Sequence, residues 1–500
     1  MNTDMKVIAM YLPQFHEVKE NNEWWGTGFT DWVSAKEALP LFDGHYQPRV
    51  PRNDYYYDLS QKKTMEWQAD LMHQYSVDGF CMYHYWFKDG RKVLERPAEN
   101  LLEWKDIDMP FCFCWANETW ARSWSNIKKK NVWTNKHEIQ NCSDEFGILL
   151  EQKYGDKNDW KAHLEYLIPF FNDSRYIRID NRPVFVIYKS SDIECIDEMI
   201  YYWKEKIVNY GIEGLYVIGA NCNALAGEVV DAELCPEPLG GMRSANRIYK
   251  LNELTCFDYK NLWENILQED LGTIKTFYGG FVGYDDTPRR GGEGSVVLKG
   301  SPKKFAKYLT ELMAKNAANN NYIVFLNAWN EWGEGMYLEP DERYGTKFLE
   351  AIPYAKLKYS EHIYKYKEKC VNKYITTLRR KGEKFEKYFK IMDSWLTLLE
   401  KNGSVSDILI KMGIRSVLIY GYGPLGRHLL SDLQGSEIKV LGIVDKRKNA
   451  ISANIDIYIP TEILPKCDAI VVTASYFIKE IRKQLGKENR LICIEDIVNY

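Results

Sequence analysis

The sequence predicts an α/β protein: a (β/α)8 TIM-type barrel over residues 1–350, a basic helical connector over 351–402 and a small Rossmann-like α/β domain over 403–500. Three observations carry that reading. Eight short β-type runs recur through the first 350 residues, separated by longer and partly helical stretches. Several of these runs are continuously apolar, as in Val184-Phe185-Val186-Ile187 and Tyr322-Ile323-Val324-Phe325-Leu326. A strand that is apolar on both faces is buried on both faces, the condition of a parallel sheet covered by helices. Charge and pattern then change twice further along, and 500 residues at roughly 150 per domain leave room for about three domains.

The eight runs are 6–11, 79–85, 111–115, 184–188, 215–220, 231–234, 280–284 and 322–329. Between the first two lies Thr64-Met65-Glu66-Trp67-Gln68-Ala69-Asp70-Leu71-Met72, whose apolar residues recur at helical spacing. Eight such units over about 350 residues fit a (β/α)8 barrel with large loop insertions. An open doubly wound sheet is the alternative, because strand order is not written in one sequence.

Between Ala351 and Lys401 there are 13 Lys+Arg against 6 Asp+Glu, in a helical pattern. One reading is a connector helix pair packed on the barrel, with Trp395 and Leu396 inward. The other is a basic helix in peripheral contact with an anionic membrane surface, or with a polyanionic acceptor. From Ser416 the pattern becomes strand, Gly421-Tyr422-Gly423-Pro424-Leu425-Gly426, helix, and a second strand at 439–444 ending at Asp445. Runs at 469–473 and 491–494 give two more strands. A G-x-G-x-x-G turn between strand and helix seats a pyrophosphate on the helix N-terminus, and an acid about 20 residues on bonds a ribose hydroxyl. Gly421, Gly423, Gly426 and Asp445 are thus candidate nucleotide contacts. Fewer than 90 residues follow Ser416, enough for one mononucleotide half only, so a structural or docking role stands beside that reading.

Composition narrows the class. Hydrophobic residues at 45% and charged residues at 27% describe an ordinary globular chain, and no apolar run approaches the roughly 20 residues that span a bilayer. The first residues show no basic n-region with an apolar core, and 11 cysteines lack a framework spacing, so a cytoplasmic location with free thiols is expected. A net charge of −4 gives no reason to expect a nucleic-acid partner. No metal site is expected either: in Cys112-x-Cys114 the two side chains of a strand point to opposite faces. The unusual feature is aromatic, with 16 Trp and 35 Tyr. Part of that excess must build a core, and part can stack on sugars.

Asn327-Ala328-Trp329-Asn330-Glu331-Trp332-Gly333-Glu334-Gly335 closes the last apolar strand. In a barrel that is the active-site end. Two carboxylates three residues apart among tryptophans have the parts for acid/base work, one with a pKa raised by an apolar setting and the other ionised. Other strand ends carry similar residues: Tyr83-His84-Tyr85-Trp86, Trp115-Ala116-Asn117-Glu118-Thr119-Trp120, Tyr284-Asp285-Asp286-Thr287-Pro288-Arg289-Arg290, and, near the first strand, His16 and Trp25. Together they describe a carbohydrate-shaped pocket, with Glu331 and Glu334 as catalytic candidates. The substrate-binding candidates are His16, Trp25, His84, Tyr85, Trp86, Asn117, Glu118, Trp120, Asp285, Arg289, Trp329, Asn330 and Trp332.

Tyr11-Leu12-Pro13-Gln14-Phe15-His16, Trp24-Trp25-Gly26-Thr27-Gly28-Phe29-Thr30-Asp31-Trp32, Tyr83-His84-Tyr85-Trp86-Phe87, Trp115-Ala116-Asn117-Glu118, Arg175-Tyr176-Ile177 and the block 327–340 follow one another as they do in WbsX-type proteins. The stretch from about Lys6 to Glu350 resembles that family, which is similar to glycoside hydrolase family 99, the endo-α-mannosidases and endo-α-mannanases. The resemblance implies a (β/α)8 barrel without a barrel cofactor, acting on an oligosaccharide or glycolipid in bacterial surface-polysaccharide or lipopolysaccharide metabolism. It also implies roles. Glu331 helps remove the proton of a sugar 2-hydroxyl, which attacks the anomeric carbon to give a 1,2-anhydro intermediate. Glu334 is general acid on departure and general base on the second step. Gly333 stands where the hydrolases often carry a bulkier residue, which marks substrate or acceptor as a point of departure.

Three functional readings follow: an enzyme that makes or breaks a glycosidic bond, as transferase or endo-glycosidase; a carbohydrate-binding barrel without chemistry, which Glu334 argues against; and an oxidoreductase driven by the C-terminal domain, which its short length disfavours.

Overall fold

The computed structural model describes residues 4–121, 148–220, 229–245, 248–268, 275–445, 455–486 and 489–500. It divides into two compact units, Met1–Cys370 and Val371–Tyr500. In the first, β1 (Lys6–Tyr11), β2 (Gly79–Trp86), β3 (Phe111–Trp115), β4 (Arg182–Ile187), β5 (Tyr216–Ala220), β6 (Ala232–Cys235), β7 (Thr276–Tyr278 and Gly280–Phe281) and β8 (Ile323–Asn327) form one parallel sheet. Each of the eight runs read from the sequence is a strand of it.

The sheet closes on itself. β8 pairs with β1 through Val7↔Val324 and Ala9↔Leu326, and β1 with β2 through Ile8↔Gly79. β7 completes the ring in two pieces: Phe277 pairs with Leu234 of β6, and Gly280 with Leu326 of β8. Gly279 is the joint. A Cβ there would lie 2.6 Å from the Cys235 carbonyl oxygen and 3.3 Å from that of Phe325, so both neighbouring strands crowd the position.

Helices α1 (Lys62–Gln74), α2 (Arg96–Glu103), α3 (Lys157–Phe171), α4 (Ile196–Lys206), α5 (Tyr259–Gln268), α6 (Pro302–Ala318) and α7 (Lys347–Lys358) lie between or after these strands. Much of the aromatic excess fills the layer between helices and sheet. Trp263 of α5 stacks on Phe281 of β7 at 5.2 Å and on Tyr308 of α6 at 5.7 Å. Trp203 of α4 meets Phe185 of β4 edge-on at 5.7 Å. A ring that buries roughly 200 Å² gains on the order of 5 kcal/mol of transfer free energy before entropy is counted. Arg175 belongs to this framework too, donating to the carbonyls of Leu101, Trp104 and Ile107 and fixing the approach to β3.

Beyond α7 comes α8 (Ile363–Glu400). One of the two readings of the connector puts Trp395 and Leu396 inward on the barrel, and the structure corrects this. Trp395 is buried with Val405, Leu409 and Ile497 in the core of the second unit, while Leu396 is 54% exposed. Successive residues on a helix stand about 100° apart, so one face cannot take both. The second unit is a parallel sheet of β9 (Ser416–Tyr420), β10 (Lys439–Val444), β11 (Ile457–Tyr458), β12 (Ala469–Val472) and β13 (Leu491–Cys493), in the order β11-β10-β9-β12-β13. Four of its strands are those expected; β11 is two residues long and below sequence-level detection. Among the described residues no helix is long and apolar enough to cross a membrane.

The joint in β7 sets a test. Gly279→Ala is expected to lower the unfolding free energy of the barrel by about 2 kcal/mol, because the neighbours are backbone and cannot yield. Gly292→Ala, whose Cβ meets nothing within 4 Å, is expected to be near neutral. Paired urea melts check this, and equal stability of the two variants would contradict the closure described.

Candidate active site

The C-terminal ends of the strands open into a cavity of about 590 Å³. Tyr83 and Tyr85 of β2, Glu118 and Trp120 after β3, and Tyr188 and Lys189 after β4 line one side. Tyr284, Arg289, Glu331 and Glu334 line the other.

The glutamates owe their placement to the chain just after β8. Asn330–Glu331 pairs antiparallel with Met336–Tyr337, which forces 332–334 into one turn of 3-10 helix. Gly335, at φ 61°, ends that turn in the left-handed region where glycine costs least. With three residues per turn, side chains three apart project together, so Glu331 and Glu334 share a side.

Arg289 joins them. Its Nη1 donates to Glu334 Oε1 at 2.6 Å, and its Nη2 to Glu331 Oε1 at 2.7 Å and to Asp31 Oδ1 at 2.9 Å. The other oxygen of Asp31 accepts from the Gly333 amide at 3.2 Å. A Cβ at 333 would fall 2.8 Å from both Arg289 Nε and Asp31 Oδ2, so the cluster itself demands glycine there. One guanidinium thus serves three carboxylates. Burial pushes the Glu331 carboxyl well above the ordinary glutamate range; Arg289 pulls it down, and Glu334 and Asp31 push it further up. The Glu334 side chain is 27% exposed and opens to the cavity. The arrangement can hold a proton on one carboxyl and present it, or accept one, at a solvent-reachable groove.

Of the residues read from the sequence, Tyr85, Asn117, Glu118, Trp120, Arg289, Glu331 and Glu334 line this cavity. Asn117 also joins two strand ends, exchanging hydrogen bonds with the backbone of Lys189 at 2.8 Å each way. The others stand elsewhere. His84 and Trp86 face the helix layer: His84 Nε2 lies 2.9 Å from His163 Nε2, and Trp86 stacks on His163 at 4.7 Å. Burial drives His84 down to about 3, so it is neutral. Side chains alternate along a strand, which puts Tyr83 and Tyr85 in the groove and their neighbours outside it. His16 is buried against the Pro13 carbonyl at 2.9 Å, its pKa lowered by burial to about 4. Trp25 packs on Phe29. Trp329 lies beneath the site against Phe80. Trp332 stacks on Tyr337 at 3.8 Å and donates to buried Glu339. Asn330 bonds the backbone of Leu12 with both amide groups. Asp285 lines a neighbouring cavity and accepts from His45 and Gln47.

Sequence reasoning passed over Asp31, Tyr83, Tyr188 and Lys189 as site residues. Asp31 sits in the Trp24–Trp32 motif, but only the folded chain brings it to Arg289.

In the second unit Gly421, at φ 93°, and Gly426, whose Cβ would meet the Gly421 carbonyl oxygen at 2.1 Å, are required by the tight strand-to-helix turn. Gly423 caps helix α9 (Pro424–Leu433) with no side-chain cap. Asp445 Oδ2 accepts from the Tyr422 amide at 2.8 Å, so this carboxylate bonds the loop it flanks. Among the described residues no group of three or more His, Cys, Asp or Glu is arranged to hold a metal ion.

With this geometry in hand, comparison with known proteins gives five likenesses. A family model described as glycosyltransferase WbsX matches residues 7–352, and one described as C2185-like, N-terminal, matches residues 413–490. The curated "Uncharacterized protein WxcX" of Xanthomonas campestris pv. campestris (strain B100) is 32% identical over 359 residues, 69% of this chain and 48% of that protein. The chain therefore spans about half the length of the curated relatives it matches. The solved structure of the GH99 endo-alpha-mannosidase from Bacteroides thetaiotaomicron shares 14% identity, covering 72% of this chain and 98% of that one at a TM-score of 0.43. A glycoside hydrolase-like protein shares 13% identity at a TM-score of 0.44, covering 71% and 94%.

Replacing Arg289 by Met is expected to cost about 3–5 kcal/mol of stability, the usual penalty for orphaning buried charge. The sign with pH follows from proton binding. Without the guanidinium that pulls it down, Glu331 keeps its proton in the folded chain at pH values where the unfolded chain has lost it, so stability falls as pH rises. The loss should be larger at about pH 8 than at about pH 5 in thermal melts. An equal loss at both would contradict the charge balance described.

Proposed function

The chain belongs to the WbsX glycosyltransferase family, and from that premise we propose that it makes or breaks a glycosidic bond in the groove at the barrel mouth, with Glu331 and Glu334 as the reacting carboxyls. The observation that carries this is the shared Arg289 clamp, which sets two glutamates of unlike environment side by side in an open, tyrosine-lined cavity.

On this reading Glu331, its basicity raised by burial, takes the proton of a sugar 2-hydroxyl. The freed oxygen attacks the anomeric carbon while Glu334 gives a proton to the departing oxygen. The 1,2-anhydro sugar then opens: Glu334 deprotonates an incoming hydroxyl, which adds at the anomeric carbon, and Glu331 returns its proton to the 2-oxygen. An acceptor that is water makes the enzyme a hydrolase, and one that is a sugar makes it a transferase. The proposed substrate is a mannoside-like oligosaccharide or glycolipid of bacterial surface-polysaccharide metabolism, met in the cytoplasm. For the C-terminal unit we propose a structural role, supported by the engagement of Asp445 with its own loop.

Product analysis tests the reading. The full chain is incubated with mannose- and glucose-containing glycans, with and without nucleotide sugars. Free saccharide released without a donor identifies hydrolysis, elongation with one identifies transfer, and neither, across the panel, counts against catalysis. On a substrate so found, Glu331→Gln and Glu334→Gln should each cost about 10²–10⁴-fold in rate. The loss for Glu334→Gln should shrink with better aryl leaving groups and that for Glu331→Gln should not. The wild-type rate should rise as pH climbs through the elevated Glu331 pKa, since the base must be ionised.

A further inference from the structure

Behind the turn that carries Glu334 lies a second cavity, of about 190 Å³, walled by the segments after β7 and β8 and by residues 42–49. Tyr284 lines both cavities, and the Asp285 amide donates to the Glu334 carbonyl at 2.7 Å, so the two share a wall. At about 30 Å³ per water it holds roughly six waters, room enough for a phosphoryl group.

The lining is cationic. Arg49, Arg343 and Lys299 face one carboxylate, Asp285, in the wall. That carboxylate is already satisfied: it accepts from His45, Gln47 and both donors of Thr287. The other ring nitrogen of His45 accepts the Leu41 amide, which leaves Nε2 to donate to Asp285. Asp341, behind the wall, is taken up by the hydroxyls of Tyr46 and Tyr337 and the Tyr344 amide. The cations are only partly taken up: Arg49 Nη2 lies 3.5 Å from Asp285 Oδ2 and its Nη1 donates to the Gly335 carbonyl at 3.2 Å, and Lys299 Nζ lies 3.3 Å from Asp258 Oδ2. The guanidinium carbons of Arg49 and Arg343 lie 5.7 and 4.6 Å from the ring centroid of Tyr46, so two like charges are gathered on one ring. Among the described residues Arg343 has no carboxylate within salt-bridge distance, and Arg49 has a buried Nε–H without a hydrogen-bond partner. Lys299 is held at φ 66°, a conformation that side-chain-bearing residues seldom adopt and that clusters at ligand clamps.

We infer that this cavity binds a phosphoryl group, held by Arg49, Arg343 and Lys299 beside the sugar groove. Loops after strands 7 and 8 are where (β/α)8 barrels frequently place phosphate, and a guanidinium fork matches its oxygens. The group is either carried by the sugar substrate or free in solution. The first case deepens, and rests on, the glycosidic reading given above; binding itself does not depend on it.

Phosphorus-31 NMR titrations of the full chain with inorganic phosphate, inorganic pyrophosphate and mannose 1-phosphate test the inference. Binding that weakens with salt is expected, as is a loss of about tenfold or more in Arg343→Gln and in Lys299→Gly, the latter keeping the backbone conformation relaxed. Tighter binding of mannose 1-phosphate than of inorganic phosphate assigns the group to the sugar; equal binding assigns it to free phosphate. Binding of inorganic phosphate and pyrophosphate is read without turnover, so that failure of the catalytic reading leaves this result standing. No binding at tens of millimolar, or unchanged affinity in both cation variants with melts like wild type, overturns the inference.

Discussion

Everything at the mouth of this barrel depends on one buried guanidinium. Arg289 comes from the segment after β7, Asp31 from the segment after β1, and Glu331 and Glu334 from the turn after β8, and all three carboxylates end on it. Burial is the largest cause that raises the Glu331 carboxyl, and the charges of Glu334 and Asp31 add to it. One cation cannot cancel three anions, and the surplus falls on Glu331. The same geometry leaves no space for a side chain at 333. Fold, charge state and the glycine of the motif are thus one constraint seen from three sides.

The wider structure holds that cluster in register. Asn330 ties the end of β8 to the end of β1, so the residue before Glu331 cannot drift. On the far side of the turn, buried Glu339 accepts from Trp332, Gln68 of α1 and Tyr57, and burial raises its carboxyl to about 7. Trp332 lies flat on Tyr337 between these anchors. Rings and amides that look in sequence like sugar contacts serve here as the bed on which the glutamates rest.

The fold was legible because continuous apolar runs of barrel strands are a local signal, readable without knowing their partners. Glu331 and Glu334 were legible because they follow such a run directly. What failed was orientation. His84 and Trp86 lie in the same short stretch as Tyr83 and Tyr85, and period-two alternation decides which pair faces the groove; the sequence does not say on which phase. Trp329 and Trp332 are fully buried, and burial is a property of the assembled chain. Asp31 is 258 residues from Arg289, so nothing local announces their contact. Leu396, beside Trp395, shows the same loss of phase on a helix.

The central claim is that a sugar sits with its anomeric carbon between Glu331 and Glu334. A crystal structure of the Glu334→Gln variant with a glycan that the wild-type chain turns over tests it directly. The 2-hydroxyl of that sugar is expected within hydrogen-bond distance of Glu331 and the glycosidic oxygen beside residue 334, with Tyr85 and Trp120 against the ring. A sugar bound elsewhere on the barrel, or in this groove with its anomeric carbon out of reach of both side chains, would contradict it.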